Sequence, residues 1–283
     1  MGVVRIFHKI KIFFQRLKGT RIPAASPTKR YGDYGEDQLI SELTSALPSC
    51  RVKRNIIISA SDANAEIDCL VLYQNKLFAI EVKRWKGYLT ETDYGFVQRK
   101  NDRWTGELHT KYLRSPFKQL NRAIYLLRKQ ISGKVWINDI VYFENDKFNG
   151  ISTYSQNTWF DNIVDLVNYI KNDGEITYGY NEAMKFFDKC VAADFLYEKK
   201  SGKTLRCSIM ADSLNFETDQ GLITRNEISQ IHIVHHLSYD EFNITMRDGS
   251  RRRSVIENGK ITVDDGGQLA SYSLCKLDYI KVG

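Results

Sequence analysis

Three successive Ile/Val-rich runs, Arg51–Ser59, Glu66–Tyr73 and Leu77–Arg84, follow one another with hardly a break, and charged side chains stand in the middle of the last two. Runs of this length and composition read as strands. Helical periodicity brackets them. Leu39, Leu43 and Leu47 mark the inner face of a helix expected from about Tyr34 to Leu47. Pro116 opens another, to about Ile131, buried through Phe117, Leu120, Ile124, Leu127 and Ile131. Val135–Phe143 returns as a strand and Asn162–Lys171 as a helix, and Gly95–Trp104 is expected to hold a strand pair turning around Lys100-Asn101-Asp102. Helix, strands, helix, strand is the order of an α/β layer structure with a central sheet.

The pattern changes after about residue 180. One more helix, Asn181–Cys190, precedes a run of short strands with turn signals. Asp248-Gly249 lies between two such strands and Asn258-Gly259 follows, and both dipeptides favour tight hairpins. A chain of 283 residues has room for about two domains. The division expected is a leader and linker over residues 1–30, an α/β domain over 31–180 and a small β-rich domain over 190–283.

Charge isolates the leader. Residues 1–30 carry Arg5, Lys9, Lys11, Arg16, Lys18, Arg21, Lys29 and Arg30 and no acid, so they hold +8 of a net +7, and the remainder is −1. Val3, Phe7, Ile10, Phe14 and Leu17 recur at helical spacing, which makes a cationic amphipathic helix. Three destinations suit it: an anionic membrane surface, nucleic acid, or a face of this protein or of a partner subunit, including a homo-oligomer. Five cysteines without a CxxC pair do not make a disulfide framework or a zinc knuckle. With no long apolar run, the chain reads as soluble, reduced and cytoplasmic, membrane association being left to the leader. Walker, GxGxxG and G-x-S-x-G signatures are absent, and His232, His235 and His236 lack the further ligands of a metal site.

The chemically informative stretch is Glu66-Ile-Asp68, a hairpin, then Ile80-Glu-Val-Lys83. With Asn75-Lys76 as a two-residue turn, Asp68 faces Lys83, and strand alternation sends Asp68, Glu81 and Lys83 out of one face. Two carboxylates that converge repel unless a cation or a proton neutralises them. Mg²⁺ (or Mn²⁺) suits such oxygen donors, and Lys83 could orient water or neutralise phosphate charge. The same spacing also suits a structural cross-strand ion pair.

These residues carry a resemblance. The segments Gly32-Asp-Tyr-Gly-Glu36, Glu66-Ile-Asp68, Ile80-Glu-Val-Lys-Arg-Trp-Lys-Gly87 and Ser115-Pro-Phe-Lys-Gln119 occur in the order and at the spacing of the NERD (nuclease-related) domain, a branch of the PD-(D/E)xK nuclease superfamily, which the chain resembles over about residues 31–145. The family usually has Asn where this chain has Ser115. The resemblance implies a restriction-endonuclease-like mixed sheet flanked by helices, with the smaller β-rich domain beyond it. It implies DNA as substrate, Asp68 and Glu81 as metal ligands and Lys83 as catalytic lysine. Glu36 is implied as a helix-borne acid near the metal and Gln119 as a helix-borne polar residue of the site. Glu36 also suits a solvated first-turn acid, and Gln119 a plain surface position.

Arg84, Trp85 and Lys86, and Arg122 one turn beyond Gln119, are candidate nucleic-acid contacts; the alternative is a solvated face with Trp85 in the core. The expected activity is metal-dependent hydrolysis of DNA phosphodiester bonds, in repair or in defence against foreign DNA. The competing expectation is a catalytically silent nuclease-like module that binds DNA, a membrane surface or a protein.

Overall fold

The computed structural model describes residues 11–16, 18–21, 27–60, 63–101, 105–131, 135–145, 147–154, 156–175, 180–198, 203–218, 220–236, 238–264 and 268–283. The chain divides into two compact units, one spanning Pro27–Ala192 and the other joining the leader to Ala193–Gly283.

The first unit runs α1 (Pro27–Ala46), β1 (Arg51–Ala60), β2 (Ala63–Tyr73), β3 (Lys76–Lys83), β4 (Gly87–Thr92), β5 (Gly95–Asn101), β6 (Leu108–Leu113), α2 (Pro116–Ile131), β7 (Asn138–Phe143), β8 (Phe148–Ser152), β9 (Trp159–Phe160), α3 (Ile163–Asn172) and α4 (Tyr180–Lys189). Among the described residues its main sheet has the order β1-β2-β3-β7-β9, antiparallel through β3 and parallel beyond it. Leu39, Leu43 and Leu47 of α1 join Leu166 and Ile170 of α3 over Val71, Phe78, Ile80 and Ile140. Leu120, Ile124 and Leu127 of α2 join Phe186 and Phe187 of α4 over Ile56, Leu70, Leu72, Leu77 and Ala79. Both faces of the central strands are therefore buried, which is why they read as continuous apolar runs. This is the mixed, helix-flanked α/β sheet expected. A second sheet, β6-β5-β4-β8, stands on a smaller core of Leu89, Phe96, Phe117, Val141 and Phe143.

Three expectations need correction here. Helix α1 begins at Pro27, so Gly32 and Gly35 lie inside it and not at its start; proline tolerates a first turn, where its missing N–H costs nothing. The β2–β3 loop is Gln74-Asn75, with Gln74 at φ 53°, and Tyr73 pairs with Lys76. The register is thus displaced by two from the expected one, and Lys76 is an inward-facing strand residue whose Nζ donates to the Lys171 carbonyl at 3.2 Å. Finally, β5 runs on to Asn101 and pairs with β6, while its hairpin with β4 turns at Asp93-Tyr94.

The second unit is β-rich: β10 (Asp194–Glu198), β11 (Lys203–Ile209), β12 (Phe216–Thr218), β13 (Gly221–Ile223), β14 (Ile228–His235), β15 (Asp240–Met246), β16 (Arg251–Ile256), β17 (Lys260–Asp264), β18 (Leu269–Ser273) and β19 (Tyr279–Lys281). Its large sheet has the order β16-β15-β14-β19-β10-β11-β17-β18. Asp248-Gly249 makes the β15–β16 hairpin, with Gly249 at φ +84°. Asn258-Gly259 does not make one: β17 pairs with β11 and β18, so that turn carries the chain from one end of the sheet to the other.

The described part of the leader, residues 11–16 and 18–21, packs on this β-rich unit. Its inward residues are Ile12 and Arg16, the latter ion-paired with the fully buried Asp240, while Phe14 is 56% exposed. Phe14 is therefore turned away from this packing, while a buried acid draws Arg16 inward. Val3, Phe7, Ile10 and Leu17 lie outside the described residues. Thr20 and Ser273 exchange hydrogen bonds at 3.0 and 3.1 Å, and Arg21 pairs with Glu198.

Candidate active site

Asp68 sits where the main sheet breaks its own rules. The β1–β2 ladder steps over the Asn55/Asp68 position, and the β2–β3 ladder ends at Cys69↔Ile80, one step before Asp68 would meet Glu81. Asn55 adopts φ 51°, a left-handed conformation unusual outside glycine. The break reverses the inside-outside alternation. Ile56 and Ile67 face the α2–α4 layer, whereas Val52 and Cys69, on the other side of the break, face α1 and α3. Released from the ladder, the Asp68 carboxylate accepts the Val82 N–H at 2.8 Å.

Glu81 and Lys83 leave β3 on the α2 side. Glu81 is fully buried; its Oε1 accepts from Lys83 Nζ and, at 2.7 Å, from Gln119 Nε2. Its other oxygen, Oε2, is buried without a hydrogen-bond partner. Burial first, and then the Asp68 charge, pushes the Glu81 carboxyl up to about 8. For Lys83 burial acts downward, but Glu81 and then Asp68 outweigh it and raise its pKa. The structure thus brings Asp68, Glu81, Lys83 and Gln119 together, with Asp68 level with Glu81 and not with Lys83.

Glu36 arrives from the opposite helix layer. It is buried, pairs with Arg54 Nε at 3.4 Å, and its charge reaches Lys83. It is therefore not a solvated first-turn acid. Gly35 beside it allows a close approach, because a Cβ there would lie 2.7 Å from Arg84 Cδ and 3.0 Å from Glu144 Oε2. Arg84 pairs with Glu144 and lies 4.9 Å from the Tyr34 ring centre. Trp85 is half-buried against Phe143 at 6.1 Å. Both residues are thus partly engaged within the domain, while Lys86 and Arg122 are exposed.

Sequence reasoning assigned no role to Arg54 or to Glu66, whose charge also raises Glu81. Arg54 gave no distinguishing signal, being one of three bases, with Arg51 and Lys53, in the first half of β1. Among the described residues, no group of three or more His, Cys, Asp or Glu side chains is placed to hold a metal ion. His232, His235 and His236 go separately to Tyr279, Asp240 and Glu241. Mg²⁺ commonly takes only one or two carboxylates, so a pair with an unpartnered buried oxygen fits its needs. Among the described residues no helix is long and apolar enough to cross a membrane.

A helix-flanked mixed sheet that gathers two acids, a lysine and a glutamine at a break in its strands is the architecture of a nuclease-like α/β domain. Residues 31–144 match the family model of the nuclease-related domain, NERD. Over that stretch the chain is similar to the NERD domain, a branch of the PD-(D/E)xK superfamily. No curated protein and no solved structure matches the chain.

Proposed function

We propose that the NERD domain is a divalent-metal-dependent nuclease that hydrolyses DNA phosphodiester bonds. The observation that supports this most is the buried, unpartnered Oε2 of Glu81 beside a second carboxylate. Burying such a group is unfavourable unless a cation or a proton meets it. Asp68 and Glu81 would hold Mg²⁺ or Mn²⁺, which supplies an activated water and charge neutralisation at the phosphate when bound.

The protein's own groups divide the remaining work. Gln119 and Lys83 occupy one Glu81 oxygen and leave the other for the cation. The Val82 N–H fixes Asp68 in line with Glu81. Lys83, with its raised pKa, stays charged at neutral pH and stabilises negative charge on the phosphate under attack. Arg54 holds Glu36 at the rim, where its acid adds to the local negative field.

The test is incubation of the full chain with linear, circular and single-stranded DNA in Mg²⁺ or Mn²⁺. The expected result is cleavage that EDTA and Asp68→Ala abolish. Absence of products from every substrate, or cleavage by Lys83→Ala at the wild-type rate, would overturn the reading and leave the silent binding module.

A further inference from the structure

The hairpin of β5 and β6 is exposed in a way that a strand serving only a core is not. Every residue from Leu108 to Tyr112 is exposed, including Leu108 at 62% and Tyr112 at 81%. The inner face is covered only at the base, where Phe96 and Leu113 meet the small core of the second sheet. On the outer face the register sets Val97 opposite Tyr112, Arg99 opposite Thr110, and Tyr88 of β4 opposite Arg99. Two half- to fully exposed tyrosines therefore flank an exposed arginine on one sheet surface. Lys100 and Lys111 project from the other face of the same ribbon, and neither described strand contains an acid.

Exposed rings beside a cation, with no acid in β5 or β6, are complementary to unpaired bases and their phosphates. A duplex keeps its base faces stacked and offers nothing for Tyr88 and Tyr112 to cover. The ribbon also joins the two site-bearing segments, since β4 starts shortly after Lys83 and α2, with Gln119, starts shortly after β6.

We infer that the outer face of β4–β5–β6 is a single-stranded DNA platform, with bases stacked on Tyr88 and Tyr112 and the phosphate between them held by Arg99. This rests on the nuclease reading for its substrate class, but its readout is binding and not cleavage. The experiment is fluorescence anisotropy of a labelled oligo(dT) and of a hairpin duplex, titrated with the full chain in EDTA. Tyr112→Ala weakens oligo(dT) binding about tenfold, Tyr112→Phe preserves it, and the duplex is bound more weakly than oligo(dT). Arg99→Ala reduces the salt slope by about 0.7, one phosphate contact on a single strand. Both positions are exposed, so melting temperatures stay at the wild-type value, and a variant that melts early is replaced by Tyr88→Ala. Unchanged oligo(dT) affinity in well-folded variants, or duplex binding as tight as oligo(dT), overturns the inference. Wild-type protein that binds oligo(dT) through these residues but cuts nothing would defeat the nuclease reading alone. Cleavage with no effect of these variants on binding would defeat the platform alone.

Discussion

Asp194 in the β-rich unit and Glu81 in the NERD domain are both sealed from solvent, and the two surroundings treat them in opposite ways. Asp194 receives Arg225 on both oxygens at 2.7 and 2.8 Å, with the Ile209 and Gly283 N–H groups at 2.6 and 2.8 Å. Asp240 pairs with Arg16 and His235 through Oδ1, its Oδ2 having no hydrogen-bond partner, and Glu198 pairs with Arg21. Each buried acid there meets a guanidinium, so charge is balanced and the pair acts as a strut. In the NERD domain Glu81 and Asp68 share Lys83, Glu66 adds to the negative field, and one Glu81 oxygen is left over. A strut is locally neutral. The cluster around Glu81 has two acids and a third nearby against one lysine, a balance that the proposed cation would complete.

The largest difference should appear in cleavage. Lys83→Ala and Asp68→Ala are expected to reduce DNA hydrolysis by about 10³-fold while the fold persists, measured as initial rates on a plasmid or oligonucleotide. Arg225→Ala, by contrast, leaves Asp194 buried and uncompensated and should destabilise the β-rich unit by about 3–5 kcal/mol. Faster hydrogen exchange in β10 and β11, with the α2 amides unchanged, is the expected observation; uniform behaviour of both units would erase the contrast.

A smaller effect concerns pH. A carboxyl near 8 in the folded chain and 4.5 ordinarily is favoured in its protonated form by folding. Its contribution is therefore complete below about 4.5 and is lost as pH rises through about 8. All four tryptophans lie between residues 85 and 159, so their fluorescence follows the unit Pro27–Ala192. In EDTA, the wild-type domain should lose melting temperature across this window more steeply than Glu81→Gln; parallel curves would contradict the assignment. The smallest effect belongs to Asp188→Ala, which breaks a half-exposed pair with Arg51 and should change stability by about 0.5 kcal/mol or less in urea unfolding.

Much of this was legible in the amino-acid order. Apolar runs and helical spacing mark the layers, since a strand covered on both faces must be apolar throughout, and α2 begins at Pro116 and ends at Ile131 as the periodicity demands. The acids and the lysine stand out because they interrupt such runs. What only the tertiary structure decided depends on contacts distant in sequence. The two-residue displacement of the β2–β3 register followed from Gln74 entering a left-handed turn, and it set Asp68 level with Glu81. The kink at Asn55, the direction of Trp85 and the inward turn of Arg16 were equally hidden, because each answers a partner elsewhere in the chain: the Asp68 break, Phe143 and Asp240. Periodicity reports which residues avoid water; which charge meets which is settled when separate segments pack together.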